Sequence, residues 1–397
     1  MKNKKLMAFW GIIVLFYLAA NFAHPVTPTL IVERGLDSSM FGVALAAMMT
    51  MNFLFAPFWG KLCGYIPTKK IMLIGCIGYS VGQAVFGMAQ SEAVVIAGRM
   101  FAGIFSGGCF TAFSNYVINT SDLQSRGSNL TTLITIQSVA SACGYFVGGM
   151  LGMISVEAAF IAMVIMILTC GVIFYTVCID DTPFKVKPTE PLSLKKANPF
   201  SAFIAAKTFM TPMLAMIFIV IAISGVGYNA YEQSFNYFIK DQFNLGSQYN
   251  GTIKIIIAGL TMLLNSTVCM YLQKKTDINK TYLPVMIIST ALVGSAILIK
   301  GQLPFMAVYI IYNGINAIRG PLLQSMVAGK AAKEHSNMAM GFYQSMNSLG
   351  GIFGALFAGL IYAANPLYPF ILAFSAYAIA CAVGAVYTKK HIAASKN

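Results

Sequence analysis

Hydrophobic and polar positions along this chain alternate on a long wavelength, with apolar runs of about 20 residues separated by short polar turns. Twelve such runs are countable. They are Leu6–Ile31, Met40–Leu62, Ile71–Met88, Ala93–Ile118, Leu130–Ile154, Ala158–Cys178, Met210–Phe235, Ile253–Leu272, Tyr282–Ile299, Phe305–Met326, Met338–Ala363 and Tyr368–Tyr387. A segment this apolar must close its backbone hydrogen bonds internally when it leaves water, which makes a helix the default. The pattern therefore predicts an all-α membrane protein with twelve transmembrane helices. The first run follows Met1-Lys2-Asn3-Lys4-Lys5, as a secretory leader would. It continues to Ile31, well beyond the roughly 7–15 residues of a cleaved leader, and reads as the first membrane helix.

Composition agrees with this reading. Of 397 residues 58% are hydrophobic and only 10% charged, with a mean hydropathy of +0.73, more apolar surface than a soluble domain can hide. The net charge of +14 does not point to nucleic acid, because the basic residues sit mostly in short turns between apolar runs. Twenty of the 26 fall on one side, including Lys61, Lys69, Lys70, Arg126, Lys274, Lys275, Lys330 and Lys389, whereas only Arg34, Lys240 and Lys300 fall on the other. That asymmetry predicts both termini in the cytoplasm of a plasma-membrane protein. The eight cysteines lie in or beside the apolar runs, so neither disulfides nor a metal cluster is expected.

The longest polar connection, residues 179–208, follows the sixth run and divides the chain into residues 1–178 and 209–397. It reads as a cytoplasmic linker with an amphipathic piece around Leu192–Phe203. The two parts carry faint copies of one another. Leu36-Asp37-Ser38-Ser39-Met40-Phe41-Gly42 aligns with Leu245-Gly246-Ser247-Gln248-Tyr249-Asn250-Gly251, Ser128-Asn129-Leu130 with Ser336-Asn337-Met338, and Gln137-Ser138 with Gln344-Ser345. The matches keep their order, and their offset drifts only from 209 to 207, which predicts two pseudo-symmetric six-helix bundles. Duplicated bundles of this kind build many alternating-access carriers, with the substrate held between the repeats.

Polar side chains within the apolar runs are few and concentrated. The first run has Asn21 and His24 beside Pro25 and Pro28; the fourth has Arg99 and Asn115. The seventh has Tyr228, Asn229, Tyr231, Glu232, Gln233 and Asn236, and the tenth has Asn313, Asn316 and Arg319. Ionisable groups are costly in a bilayer and mark function by default. Glu232 is the best candidate proton carrier and can pair with Lys254. His24, whose side-chain type titrates nearest neutrality, is the second, and Arg99 the third. At an offset of 208, Asn21 pairs with Asn229 and His24 with Glu232. Two arginines facing a low-dielectric cavity would set up a potential on the order of several kT, favouring neutral, amphipathic or anionic cargo over a permanent cation.

Three local motifs carry a family resemblance. Arg99-Met100-Phe101-Ala102-Gly103 with Gly107-Gly108 resembles the fourth-helix motif of the drug:proton antiporter groups of the major facilitator superfamily. Gly103 and Gly107 share one helix face and let a neighbouring backbone come close. Gly144-Tyr145-Phe146-Val147-Gly148-Gly149 resembles the fifth-helix antiporter motif, with Tyr145 in place of its proline. Gly60-Lys61-Leu62-Cys63-Gly64-Tyr65-Ile66-Pro67-Thr68-Lys69-Lys70 resembles the loop motif after the second helix, with Gly64 where the family has aspartate. The resemblance implies that helices one, four, seven and ten line a cavity open alternately to the two sides.

The expectation is a secondary active transporter, not an enzyme, since no nucleophile–base pair, phosphate loop or nucleotide motif is present. A proton-coupled exporter of small amphipathic molecules fits best, and a carrier of small organic anions gripped by Arg99 or Arg319 is the alternative. No cofactor and no nucleic acid are expected. The partners are a small-molecule substrate, protons or another coupling ion, and the lipid bilayer, with the protein working as a monomer.

Overall fold

The computed structural model describes residues 2–37, 40–182, 203–204, 206–243, 247–362 and 364–394. Most of the 179–208 linker, including nearly all of the amphipathic piece expected at Leu192–Phe203, lies outside the described residues. The described chain is helical. In order, the helices are α1 (Lys2–Ala19), α2 (Thr27–Glu33), α3 (Met40–Tyr65), α4 (Thr68–Gly87), α5 (Glu92–Thr120), α6 (Leu123–Gly152) and α7 (Val156–Val177). Then come α8 (Pro212–Asp241), α9 (Ser247–Leu264), a π turn (Asn265–Cys269), α10 (Met270–Lys275), α11 (Ile278–Leu298), α12 (Gln302–Lys330), α13 (Ser336–Tyr362) and α14 (Tyr368–Ala394).

Among the described residues, ten helical segments are long and apolar enough to cross a bilayer on their own. The other two crossings expected from sequence are the α1–α2 pair and α12. In α12 the polar Asn313, Asn316 and Arg319 dilute the hydropathy of a helix of 29 residues. The first crossing is not the single helix expected over Leu6–Ile31. It breaks into turns between Ala19 and Thr27, because Pro25 and Pro28 each lack a backbone donor and clash with the turn before them.

Helix starts follow from local chemistry. Ser155 accepts from the backbone N–H of Ala158 at the head of α7, Thr211 accepts from Leu214 N–H before Pro212 opens α8, and Asp277 accepts from Asn279 N–H ahead of α11. Outward faces are aliphatic: Ile161, Ile165, Ile255, Ile256, Ile287 and Ile379 are all exposed, as a lipid-facing surface requires.

Two compact units emerge. The first comprises Met1–Asp122, Ile136–Phe209 and Ala331–Ser345; the second comprises Leu123–Thr135, Met210–Lys330 and Met346–Asn397. The first is filled by aromatic rings from α1, α5 and α7, with Phe9, Phe16, Phe113 and Phe174 mutually packed. The second is filled by Tyr231, Phe235, Phe238, Phe305, Tyr309, Tyr312, Phe370 and Tyr377.

Small residues set the helix spacing. A Cβ at Gly103 would strike the Met48 carbonyl of α3, and one at Gly107 would lie 3.1 Å from Asn52 Oδ1, so the α5 glycines seat α5 on α3. A Cβ at Gly144 or Gly148 of α6 would strike the carbonyl of Leu18 or Phe22. The second unit repeats this arrangement, with Gly350 and Gly354 of α13 against the carbonyls of Ala222 and Val226 of α8.

Candidate functional site

In the first unit, α5 carries Arg99 into the interior, where it is only 3% exposed. Its guanidinium lies 4.1 Å from the centre of the Phe86 ring, one terminal nitrogen lies 3.5 Å from Met48 Sδ, and Nε has no hydrogen-bond partner among the described residues. Ring face and thioether are soft acceptors that replace only part of the lost hydration. Among the described residues no carboxylate pairs with Arg99. His24, in the break between α1 and α2, lies within electrostatic reach of this guanidinium.

Asn21 plays a packing part. Its Nδ2 donates to Tyr17 O at 2.8 Å and to Ser141 Oγ at 2.9 Å, tying the end of α1 to α6. Asn229 of α8 makes the same backward bond, Nδ2 to Gly225 O at 2.9 Å. The two asparagines matched by the 208-residue offset thus share a local role. His24 and Glu232 do not, since His24 sits in a helix break and Glu232 in continuous helix. Asn115 is fully buried on the opposite half of α5 from Arg99 and donates to Asn337 O at 3.2 Å.

The second unit gathers most of the remaining candidates along the seam between α8 and α12. On α8, Ser224, Tyr228, Tyr231, Glu232 and Phe235 recur at helical spacing; on α12, Tyr309, Asn313, Asn316 and Arg319 do the same. At one end Glu232, 9% exposed, is ion-paired with Lys254 of α9, and its other oxygen accepts from Tyr309 Oη at 2.6 Å. Lys254 Nζ also reaches Tyr309 Oη at 3.4 Å, so the three groups close a triangle. Phe235 stacks on the Tyr309 ring at 3.4 Å and fixes its orientation. Asn313 donates to Tyr309 O, bracing the same turn.

At the other end Arg319 donates through Nε to Asn316 Oδ1 at 2.8 Å and through a terminal nitrogen to Ser224 Oγ at 2.7 Å. Asn316 Oδ1 also accepts from Tyr377 Oη at 2.8 Å, and Tyr377 shares a 2.7 Å bond with Tyr312 Oη. Tyr228 lies beneath the guanidinium at 5.7 Å, and Tyr231 packs edge-on to Tyr309 and Tyr312, its hydroxyl unpartnered among the described residues. Eight residues of α8 separate Ser224 from Glu232, an axial distance of about 12 Å at 1.5 Å per residue. An acid–base pair and a guanidinium therefore stand about two helical turns apart, bridged by buried tyrosines. The side chain of Asn236 lies outside the described residues.

Glu232, Lys254, Asn316 and Arg319 stand out in the sequence, whereas Ser224, Tyr309, Tyr312 and Tyr377 do not. The signal was present on α12, where Tyr309, Asn313 and Asn316 share one face. Tyr377 of α14 had no such signal, since tyrosine in an apolar run is ordinary.

Helices of membrane-crossing length, a mostly buried carboxylate paired with a half-exposed lysine, and a buried arginine within each unit define a polytopic membrane transporter. The model of the Major Facilitator Superfamily matches residues 9–300 and 279–397, and the chain belongs to that family. Its relatives include the class C tetracycline resistance protein of Escherichia coli, 24% identical over 91% of each chain. The quinolone resistance protein NorA of Staphylococcus aureus is 22% identical over 100% of this chain and 99% of its own. Multidrug resistance protein 2 of Bacillus subtilis is 21% identical over 91% of this chain and 89% of its own. Among solved structures, the human organic anion transporter MFSD10 (TETRAN) superposes with a TM-score of 0.82 at 15% identity, covering 96% of this chain and 99% of that one, a likeness of fold.

Proposed function

We propose that this protein is a proton-coupled exporter of small amphipathic, drug-like molecules. It works by alternating access in the plasma membrane as a monomer with both termini cytoplasmic. The observation that carries the reading is the Glu232–Lys254–Tyr309 triangle. A proton arriving on Glu232 removes the anion that holds Lys254 and turns the Tyr309 hydroxyl from an obligate donor to the carboxylate into a free donor or acceptor. Protonation thus loosens α9 from α8 and changes the polarity of a tyrosine-lined seam, which is what exchange of a proton for cargo needs. The resistance proteins among the relatives support export as the direction.

The test uses purified protein in liposomes with an imposed pH gradient and a panel containing a tetracycline, a quinolone and a lipophilic dye. Gradient-driven accumulation by the wild type and its loss in Glu232→Gln are expected; accumulation unchanged in Glu232→Gln overturns the assignment. Arg99 favours a second reading, transport of a small organic anion, because a buried guanidinium without a carboxylate partner is suited to receive one from a ligand. Counterflow of benzoate that ignores pH and disappears in Arg99→Ala would establish that reading instead.

A further inference from the structure

The helix that supplies Lys254 is not continuous. Between α9 and α10, residues Asn265–Cys269 wind as a π turn, a feature that recurs at functional sites and displaces the residues beyond it. The lipid-side residues of the turn are satisfied locally. Ser266 Oγ donates to Met262 O at 2.7 Å and Thr267 Oγ1 to Leu263 O at 2.6 Å, covering carbonyls that the wider turn leaves exposed. Asn265, on the interior side, is different. It is 0% exposed, and among the described residues neither Oδ1 nor Nδ2 has a partner. A primary amide carries two donors and two acceptor sites, and burying all of them unmet costs several kcal/mol by the usual scale. A partner is therefore owed at this position.

The surroundings define what that partner is. Asn265 belongs to a neutral polar stripe with Thr261, Cys269 and Gln273. Gln273, two turns on, has its amide nitrogen engaged, donating through Nε2 to Ser325 Oγ at 2.9 Å, Pro321 O at 3.2 Å and Thr131 Oγ1 at 3.4 Å. Across from the stripe runs α12. Leu260 and Leu264 lie over Gly314, and Gln273 reaches Pro321, so Asn265 falls at the level of the α12 turn between them. That turn is missing a donor, since Pro321 has no N–H to offer the carbonyl of Ala317. The opposite face of the same turn carries Asn316 and Arg319, already committed to Ser224 and Tyr377. Apolar leucines, one unpaired amide and a facing helix turn that is one backbone donor short make surroundings with few polar groups and no charge.

We propose that Asn265 is the polar anchor of a second cargo subsite, between α9 and α12, that reads a neutral hydrogen-bonding group such as an amide, carbonyl or hydroxyl. An amide presents donor and acceptor side by side, the complement of another amide, whereas a bare carboxylate or ammonium would meet only half of what it needs there. The transporter reading enters only in naming the occupant as cargo; the subsite itself rests on the π turn and the unpaired amide.

The test is thiol accessibility in membranes. Asn265→Cys, and Thr261→Cys one turn away on the same face, are treated with 2-sulfonatoethyl methanethiosulfonate, and the label is located by peptide mapping. Ser266→Cys, on the exposed side of the turn, is the control. Labelling at 265 or 261 but not at 266 is expected. Benzamide should slow it by about fivefold, the factor one net hydrogen bond supplies, while benzoate and benzylammonium of the same size should not. Absence of labelling at both interior positions overturns the subsite. Equal protection by all three probes, or protection by benzoate alone, overturns its neutral, amide-reading character. Neither result touches proton coupling, which the Glu232→Gln transport experiment decides separately.

Discussion

Replacing Lys254 by methionine removes a cation from Glu232 while keeping most of the stem that packs along α9. Charges about 4 Å apart at an effective dielectric of about 20 attract by about 4 kcal/mol. Fixing the lysine side chain opposes this by up to about 2 kcal/mol. The Lys254 side chain is 39% exposed and that of Glu232 only 11%, so the cost of separation falls unequally. Lys254→Met strands a buried carboxylate with one remaining donor, Tyr309, and should destabilise the protein by about 2–3 kcal/mol. Glu232→Gln leaves an ammonium that can reach water and should cost about 1 kcal/mol. The double variant should recover about 2 kcal/mol relative to the sum of the singles, a coupling readable from a double-mutant cycle of unfolding in mixed detergent–denaturant. Additive effects would mean that the pair does not hold α9 to α8, and the loosening step proposed for proton arrival would fail with it.

Further predictions concern the scaffold. Gly103→Val should destabilise by at least about 1–3 kcal/mol, because the new Cβ meets the Met48 backbone carbonyl rather than a flexible side chain, whereas Gly149→Ala, which meets open space, should stay within about 0.5 kcal/mol; thermal unfolding of the two in detergent compares them. Asp181→Ala should cost about 3 kcal/mol, since this fully buried carboxylate accepts from Thr68 N–H and Oγ1 at 2.9 Å each and from Asn119 Nδ2 at 2.8 Å, and heat-stability assays should show Asp181→Asn recovering part of the loss. Burial alone would raise the Asp277 carboxyl, but hydrogen bonds from Asn279 and His391 outweigh it and hold the group below the ordinary aspartate range. A depressed folded value contributes stability that is present above about pH 4 and is lost as pH falls through it, so the stability gap between wild type and Asp277→Asn should shrink in acid.

Fold class was legible because lipid leaves the backbone so few options: runs of about 20 apolar residues can scarcely be anything but helices. The α1–α2 break was signalled by Pro25 and Pro28 but masked by the overall apolarity of the run from Leu6 to Ile31. Gly103 and Gly107 of the fourth-helix motif did what their spacing suggested, seating α5 on α3, while the close approach of Gly144 and Gly148 to the carbonyls of Leu18 and Phe22 was not signalled by spacing. Charged candidate residues were legible for the same reason that they are rare in an apolar chain, and Glu232 and Lys254 meet across a distance of 22 residues. Tyr309, Tyr312 and Tyr377 were not, because an aromatic in an apolar run is usually packing, and only tertiary structure shows which hydroxyls face a carboxylate or a guanidinium. The π turn had no sequence signature at all.

Movement of protons against cargo tests the central claim most directly. Proteoliposomes loaded with a tetracycline and a lumenal pH dye are diluted into drug-free buffer with no imposed pH gradient. Outward drug flux through the wild type should acidify the lumen, and the acidification should vanish in Glu232→Gln. Drug efflux through the wild type with lumenal pH unchanged, or equal acidification in Glu232→Gln, would contradict the account.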